Sequence, residues 1–374
     1  MMDYLDWRGD LTLDQSPFNE VDNLLIAQLA YLNLDGLVPS PEQGGEVTAR
    51  EACERYFALH DEQAIARQGF LVRMTAPVLR KLAETRRFAG TRLAHYVNEV
   101  DPEREMQFSA VHARLDDGTV YVAFRGTDST LIGWKENFNM SFAAPVPSQL
   151  EAVRYLERTA GGGNGPPLRL GGHSKGGNLA VFAAVRCREP IRSRILEVYN
   201  NDGPGFDREF LASPAYREML GRIRKFVPQT SVVGMLLEHD EEYTVIRSSQ
   251  RGLLQHDALS WEVLGPRFVY VGQVTRESRL LDEMLRSWLD RMDRAQRERF
   301  AEALFGLFEA GGIETVDDLS RDKWKHLRGL VRLLNQSPEV KRVLARALKL
   351  LFLEGRRVFR DHRAQGKPFS KVSD

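Results

Sequence analysis

A serine stands between two pairs of glycines in RLGGHSKGGNLAVFAA, residues 169–184. The segment Gly172-His173-Ser174-Lys175-Gly176 has the G-x-S-x-G spacing of a nucleophile elbow. A short apolar run, Leu168 to Leu170, leads in, and NLAVFAA leaves with helical composition. A strand-turn-helix junction of this kind forces the serine into sparsely allowed backbone angles. It therefore needs small neighbours, here Gly172, Gly176 and Gly177. The turn exposes the serine Oγ at the carboxyl end of a sheet, above a helix N-terminus whose free N–H groups favour a developing oxyanion.

Around this junction the hydrophobic period alternates. SQLEAVRYLERTA reads as a helix, LRLGGH as a strand, GGNLAVFAAVRCR as a helix, and ILEVYNND and RKFVPQTSVV as strands. Strands separated by helices predict a mainly parallel sheet with crossover helices, an α/β fold. Upstream, MQFSAVHARL and TVYVAFRG flank Asp116-Asp117-Gly118, a turn signal between two antiparallel strands. The core of the fold is thus expected over about Asn98 to Trp261. Before about Thr91 the chain reads mostly helical, EVDNLLIAQLAYLNL in particular, and His60 and His95 are placed in helices. Beyond about Arg276 a charged helical tail begins, with RLLDEMLRSWLDRM, then RERFAEALFGLFEAGG closed by a Gly-Gly stop. In PEVKRVLARALKLLFLEGRR, Val340, Val343, Leu344, Ala347, Leu348 and Leu351 form an apolar stripe opposite Lys341, Arg342, Arg346 and Lys349. Packing against the main sheet is the first expectation for this helix, and lying on a membrane surface the second.

Composition narrows the classes. The 374 residues suffice for one large α/β domain with an extension, and 43% are apolar and 28% charged, as in globular chains. Lys+Arg and Asp+Glu are both 52, which gives no electrostatic case for nucleic acid. Only Cys53 and Cys187 occur, too few for a disulfide framework or a zinc site. No secretory start is visible and nothing approaches about 18 consecutive apolar residues, so a cytoplasmic protein is expected.

A serine nucleophile needs a base, an orienting acid and oxyanion donors. Of the histidines, His173 precedes the serine on its strand and points away, whereas His256, in the loop-like GLLQHDALSW, comes late in the chain. His239 is the reserve. Asp202 ends the strand LEVYNND before a GPGF turn, which leaves its carboxylate at the sheet edge; Asp240 competes. The oxyanion donors are expected to be the backbone N–H of Lys175 and that of Thr127, in the strand-end loop Arg125-Gly126-Thr127. The Thr127 hydroxyl is a further candidate donor, and Asp128 is placed to hold the loop.

VAFRGTDS followed by GGHSKGGNLA resembles the fungal-type (class three) lipases, with their FRGT strand loop and GHSLGG elbow. The chain to about Trp261 is more similar still to a bacterial lipase-like family of formerly unknown function. The segments that carry this are YLDWRGDLTLDQSPFNEVDNLLIAQLAY, GWKENFNMSF, GHSKGGNLA, YNNDGPGF, SVVGMLLEH and QHDALSW. The resemblance implies an α/β-hydrolase fold and a serine hydrolase mechanism, which calls for no metal or organic cofactor. With the composition shift after about Arg276, the chain is divided into an α/β-hydrolase domain over residues 1–275 and a helical extension over 276–374. Ser174 matches the nucleophile, Thr127 the oxyanion residue and His256 the late histidine, in the order Ser…Asp…His of α/β-hydrolases.

Two departures stand out. Class three lipases carry their acid in an NDPVP-like stretch, where TSVVG here has Ser231. Asp202 instead resembles the acid of pancreatic-type lipases, followed by a DPAGP-like turn. Lys175 stands where those lipases have leucine, and is expected to be either a solvated side chain or a cation favouring an anionic substrate. The expected substrate is an acyl ester or lipid, with the apolar stretches GMLLE and GLLQ and the helical tail as an acyl pocket or lid. Acyl transfer, thioester cleavage and peptide cleavage would use the same acyl-serine. The alternative of another class is a non-catalytic relative that binds a lipid or protein partner.

Overall fold

A computed structural model describes residues 1–67, 70–128, 130–313, 315 and 323–364. Its centre is an eight-stranded sheet in simple sequential order. The strands are β1 (Val47–Thr48), β2 (Arg92–Asp101), β3 (Met106–Arg114), β4 (Val120–Phe124), β5 (Leu168–His173), β6 (Ile195–Asn201), β7 (Ile223–Pro228) and β8 (Tyr243–Ile246). β1 to β4 pair antiparallel, and β4 to β8 pair parallel. The α/β class with a mainly parallel sheet is the one expected.

Alternation along the strands builds two cores. Val120, Val122 and Phe124 of β4 face one cluster, and Tyr121 and Ala123 face the other. The second face is covered by α1 (Glu20–Gln28), α2 (Ala49–Leu59) and α3 (Phe70–Glu84). Helix α1 starts at Asn19, whose side chain accepts from Val21 and Asp22 N–H in a reciprocal capping box. It is buried on every side from Val21 to Gln28, which is why its sequence shows little amphipathic pattern. α4 (Leu131–Asn139) and α5 (Pro147–Thr159) lie between β4 and β5, and α6 (Lys175–Arg186) follows β5. Helices α5 and α6 pack on the first face.

The sheet is wider than the sequence pattern suggests. RLAHYVNEV forms β2, so His95 lies in a strand and not in a helix, and the core starts well before Asn98. Its polar residues break the β pattern because β2 is partly solvent-facing. In RKFVPQTSVV only Ile223–Pro228 is strand, and Ser231 N–H turns back onto the Pro228 carbonyl. β8, in a stretch rich in acidic residues, carried no strand signal.

The extension contains α7 (Arg276–Asp290), α8 (Arg294–Ala310), α9 (Lys323–Gln336) and α10 (Pro338–Ala364). Thr275 caps α7, Asp293 caps α8, and Gly311 and Gly312 end α8. Trp288, Met292, Phe300, Leu307, Leu344 and Ala347 form a third cluster, joined by Phe138 of α4. Among the described residues no helix is long and apolar enough to cross a membrane.

The carboxyl ends of β4, β5, β6 and β7 lie side by side and lead into Gly126, Ser174, Asp202 and Ser231 respectively. In an open parallel sheet this edge is where sites are built.

Candidate active site

Ser174 joins β5 to α6 with φ 57° and ψ −133°, a conformation that L-residues rarely adopt. The flanking glycines are there for close approach. A Cβ on Gly172 would lie 2.3 Å from the Gly176 carbonyl carbon, and one on Gly176 would lie 2.1 Å from the Phe124 carbonyl oxygen. Only bare backbone lets α6 press so tightly against β4 and β5.

His256 ends a 3-10 turn, Gly252–His256, and reaches the serine: its Nε2 is 3.0 Å from Ser174 Oγ. Its Nδ1 is 2.6 Å from Asp202 Oδ2. A carboxylate only accepts, so Nδ1–H donates to Asp202 and Nε2 is left to accept the serine proton. Asp202 is fully buried, at φ 54°, and its N–H is fixed to the Phe226 carbonyl. Its other oxygen, Oδ1, accepts the Ser231 hydroxyl at 2.5 Å. Thus the residue standing where class three lipases carry their acid hydrogen-bonds to the carboxylate at the neighbouring strand end.

The competing candidates are not brought together with the serine. Asp240 is exposed. The His239 ring stacks on Tyr243 at 5.4 Å, and burial together with the Lys225 charge lowers its pKa to about 4.

On the other side of the serine lies Gly126. A Cβ there would sit 3.2 Å from Ser174 Cβ and 2.5 Å from the His173 carbonyl oxygen, so the Gly126 backbone passes close beside Ser174. The Thr127 hydroxyl donates to Asn137 Oδ1 at 2.8 Å. The expectation that this hydroxyl assists an oxyanion therefore gives way to one in which the backbone N–H acts alone. Lys175 N–H belongs to the first turn of α6, where the helix supplies no acceptor. Asp128 holds the loop as expected, its Oδ1 accepting Thr130 N–H at 2.7 Å.

Lys175 overturns both expectations made for it. It is 1% exposed, neither solvated nor facing a substrate. Its Nζ donates to Glu136 Oε2 of α4 at 2.6 Å and to the Gln107 carbonyl at 2.8 Å. Burial lowers its pKa, and Glu136 opposes that. The sequence pattern missed Glu136 because nothing local distinguishes a carboxylate that pairs across 39 positions.

His173 has a positioning role that its place in the sequence does not show. It does precede the serine and face away from it, but its Nε2–H donates to the His256 carbonyl at 2.8 Å, and the two rings lie 4.6 Å apart. The Tyr31 hydroxyl is 3.3 Å from His173 Nδ1. His173 thereby anchors the loop that carries His256. Burial, then the neighbouring His256, keeps its pKa well below 6.5, and burial, then the His95 and Arg114 charges, brings that of His112 in β3 down to about 3. Both stay neutral in the folded chain when the unfolded chain protonates them. The unfolded state then binds more protons, so stability is full above pH 6.5 and falls as the pH drops below it. Between about pH 7 and pH 5 the His112 share should cost about 2 kcal/mol, and His173 acts in the same direction. Denaturant titrations at the two pH values check this. A midpoint unchanged at the lower pH, or a fall undiminished in His112→Gln, would contradict it.

Ser174 itself is only 7% exposed. Of the apolar stretches expected to form an acyl pocket or lid, GLLQ presents Leu253 and Leu254, 68% and 67% exposed, immediately before His256. From GMLLE, Leu237 lines a cavity of about 460 Å³ with Phe182, Phe206 and Phe210, farther along α6 from the serine.

The sequence profile of the Mbeg1-like family matches residues 82–306, more than half of the chain. No curated protein matches the sequence. Among solved structures, the Rhizomucor miehei lipase propeptide complex is similar at 19% identity and a TM-score of 0.31, over 42% of this chain. The chain spans 57% of that lipase's length. M37 lipase is similar at 14% identity and a TM-score of 0.34, over 59% of this chain and 70% of its own.

Proposed function

We propose, from the premise that this chain belongs to the Mbeg1-like family, that it hydrolyses carboxylic esters through an acyl-serine, as a cytoplasmic enzyme of lipase or esterase type. The observation that carries the reading is the continuous row Ser174 Oγ, His256 Nε2, His256 Nδ1, Asp202 Oδ2, with contacts of 3.0 and 2.6 Å, on a serine held at φ 57°.

In this mechanism Ser174 Oγ attacks the acyl carbonyl while His256 Nε2 takes its proton. Asp202 holds the ring in the required tautomer and stabilises the imidazolium that forms. The N–H groups of Thr127 and Lys175 receive the carbonyl oxygen as it becomes an oxyanion. His256 returns the proton to the leaving alcohol, then activates a water that cleaves the acyl-enzyme. The exposed Leu253 and Leu254 beside His256, and Trp134 on the helix that follows the oxyanion loop, favour an apolar acyl group.

The near-complete burial of Ser174 favours a second reading, a relative that binds without catalysis. Labelling with a fluorophosphonate, read by intact mass, separates the two. A single adduct that disappears in Ser174→Ala is the expected result. Absence of any adduct on folded wild-type protein would remove the hydrolase reading and leave the binder.

A further inference from the structure

Helix α10 has two apolar faces, and the fold uses one. Leu344, Ala347 and Val358 are buried against the extension, and the buried Glu354 pairs with Arg291 and Arg357. A helix held to its protein along one face needs a single stripe. Yet Leu348, Phe352, Leu353 and Phe359 also point outward, 57%, 63%, 47% and 50% exposed. Three of them, Leu348, Phe352 and Phe359, border with Met284 of α7 an open groove of about 820 Å³. Single exposed apolar residues are ordinary, but a contiguous stripe with two phenylalanines marks a contact surface.

Charge indicates what the surface contacts. The chain is neutral overall, but α10 holds eight lysines and arginines against three carboxylates. Arg356 and Arg360 line the groove itself, and the Arg356 guanidinium lies 5.8 Å over the Phe352 ring. Among the described residues no carboxylate pairs with Arg342, Arg346, Lys349 or Arg356, and Arg360 has only its exposed neighbour Asp361. An occupant must therefore be apolar at its centre and anionic at its rim. A second copy of this face would set arginines against arginines, which like-charge repulsion disfavours. Acyl chains under acidic headgroups satisfy both demands: the phenylalanines enter the acyl boundary while the arginines extend to the phosphates.

We propose that the outer face of α10 docks the protein on a lipid surface bearing acidic headgroups. This rests on the extension alone and does not require Ser174 to be a nucleophile. The test is co-sedimentation of the full chain with vesicles of phosphatidylcholine alone and of equimolar phosphatidylcholine and phosphatidylglycerol. Expected is binding to the acidic vesicles at least about tenfold tighter than to the neutral ones and weakened by salt, since each cation near such a surface contributes about fivefold. The pairs Phe352→Ser/Phe359→Ser and Arg356→Gln/Arg360→Gln should each weaken it about tenfold or more. Both pairs should keep the wild-type rate of fluorophosphonate labelling, which shows that they are folded. Vesicle binding that is absent, or equal in wild type and both variants, would overturn the proposal. So would a wild-type dimer that the phenylalanine variant converts to monomer, since a second copy would then be the occupant. Binding without any labelling would remove the hydrolase reading and leave the docking face standing.

Discussion

Asp202→Asn is expected to lower ester turnover about ten-thousandfold while the protein stays folded. The expectation follows from the tautomer. His256 Nδ1–H donates to Asp202 Oδ2, which leaves Nε2 free to accept the Ser174 proton. An asparagine in the same buried place can turn its amide N–H toward Nδ1, which holds the imidazole with its proton on Nε2, facing the serine. The geometry survives and the base is lost. An amide also provides no negative charge for the imidazolium formed in the transition state. Asp240→Asn is the control, expected to change turnover by no more than about threefold, since surface substitutions far from a site rarely do more. Ser231→Ala removes one of the donors to Asp202 and should fall between the two, at about tenfold. Steady-state kinetics on a soluble ester, with circular dichroism to verify folding, decide the matter. Asp202→Asn retaining more than about a tenth of wild-type turnover would take the orienting acid away from Asp202.

The acid also marks how far the sequence can be read. The elbow was legible because its requirements are local: glycines on both sides of Ser174, an apolar strand before, a helix after. The parallel part of the sheet was legible because short β-rich segments such as LRLGGH and ILEVYNND alternate with helical ones. The contacts among strand ends were not. Asp202 and Ser231 meet only because β6 and β7 pair in parallel with a fixed register, Asn201 beside Phe226. No spacing rule conveys such a register. β2 and β8 escaped for a different reason. Their exposed sides carry polar and charged residues, and His95 together with the acidic run before Tyr243 hides the β-forming residues between them. His173 precedes Ser174 and faces away from it. Its contribution is to the carbonyl of His256, a backbone contact that side-chain chemistry in a sequence does not announce.

Lys175→Met is expected to cost about 3–5 kcal/mol of stability, the loss found when one member of a buried ion pair is removed and the other stays charged. Both partners are 1% exposed, so water cannot replace the ammonium. The carboxylate left behind is bound on several sides: Glu136 Oε1 accepts Ser148 N–H at 2.8 Å, and Oε2 accepts Gln107 N–H at 3.3 Å. Glu136→Gln on top of Lys175→Met neutralises the stranded charge and keeps an acceptor for Ser148. The double variant should therefore recover a large part of the loss, a coupling that independent sites would not show. The pair also bears on the proposed chemistry, because it ties the helix that starts after Ser174 to the helix that follows the Thr127 loop. Gln107, whose carbonyl accepts from Lys175, receives Asp128 N–H on its side-chain oxygen at 3.3 Å and donates to Thr130 Oγ1 at 3.1 Å. Loosening this arrangement moves the Thr127 N–H relative to Ser174, and a displacement of about 1 Å costs up to about a hundredfold in rate. Denaturant midpoints of the three variants, with fluorophosphonate labelling rates measured where each is fully folded, test both halves. Lys175→Met within about 1 kcal/mol of wild type would mean that the cavity around Glu136 admits water or that the carboxylate takes up a proton at little cost, and the pair would then not be what holds α4 to α6.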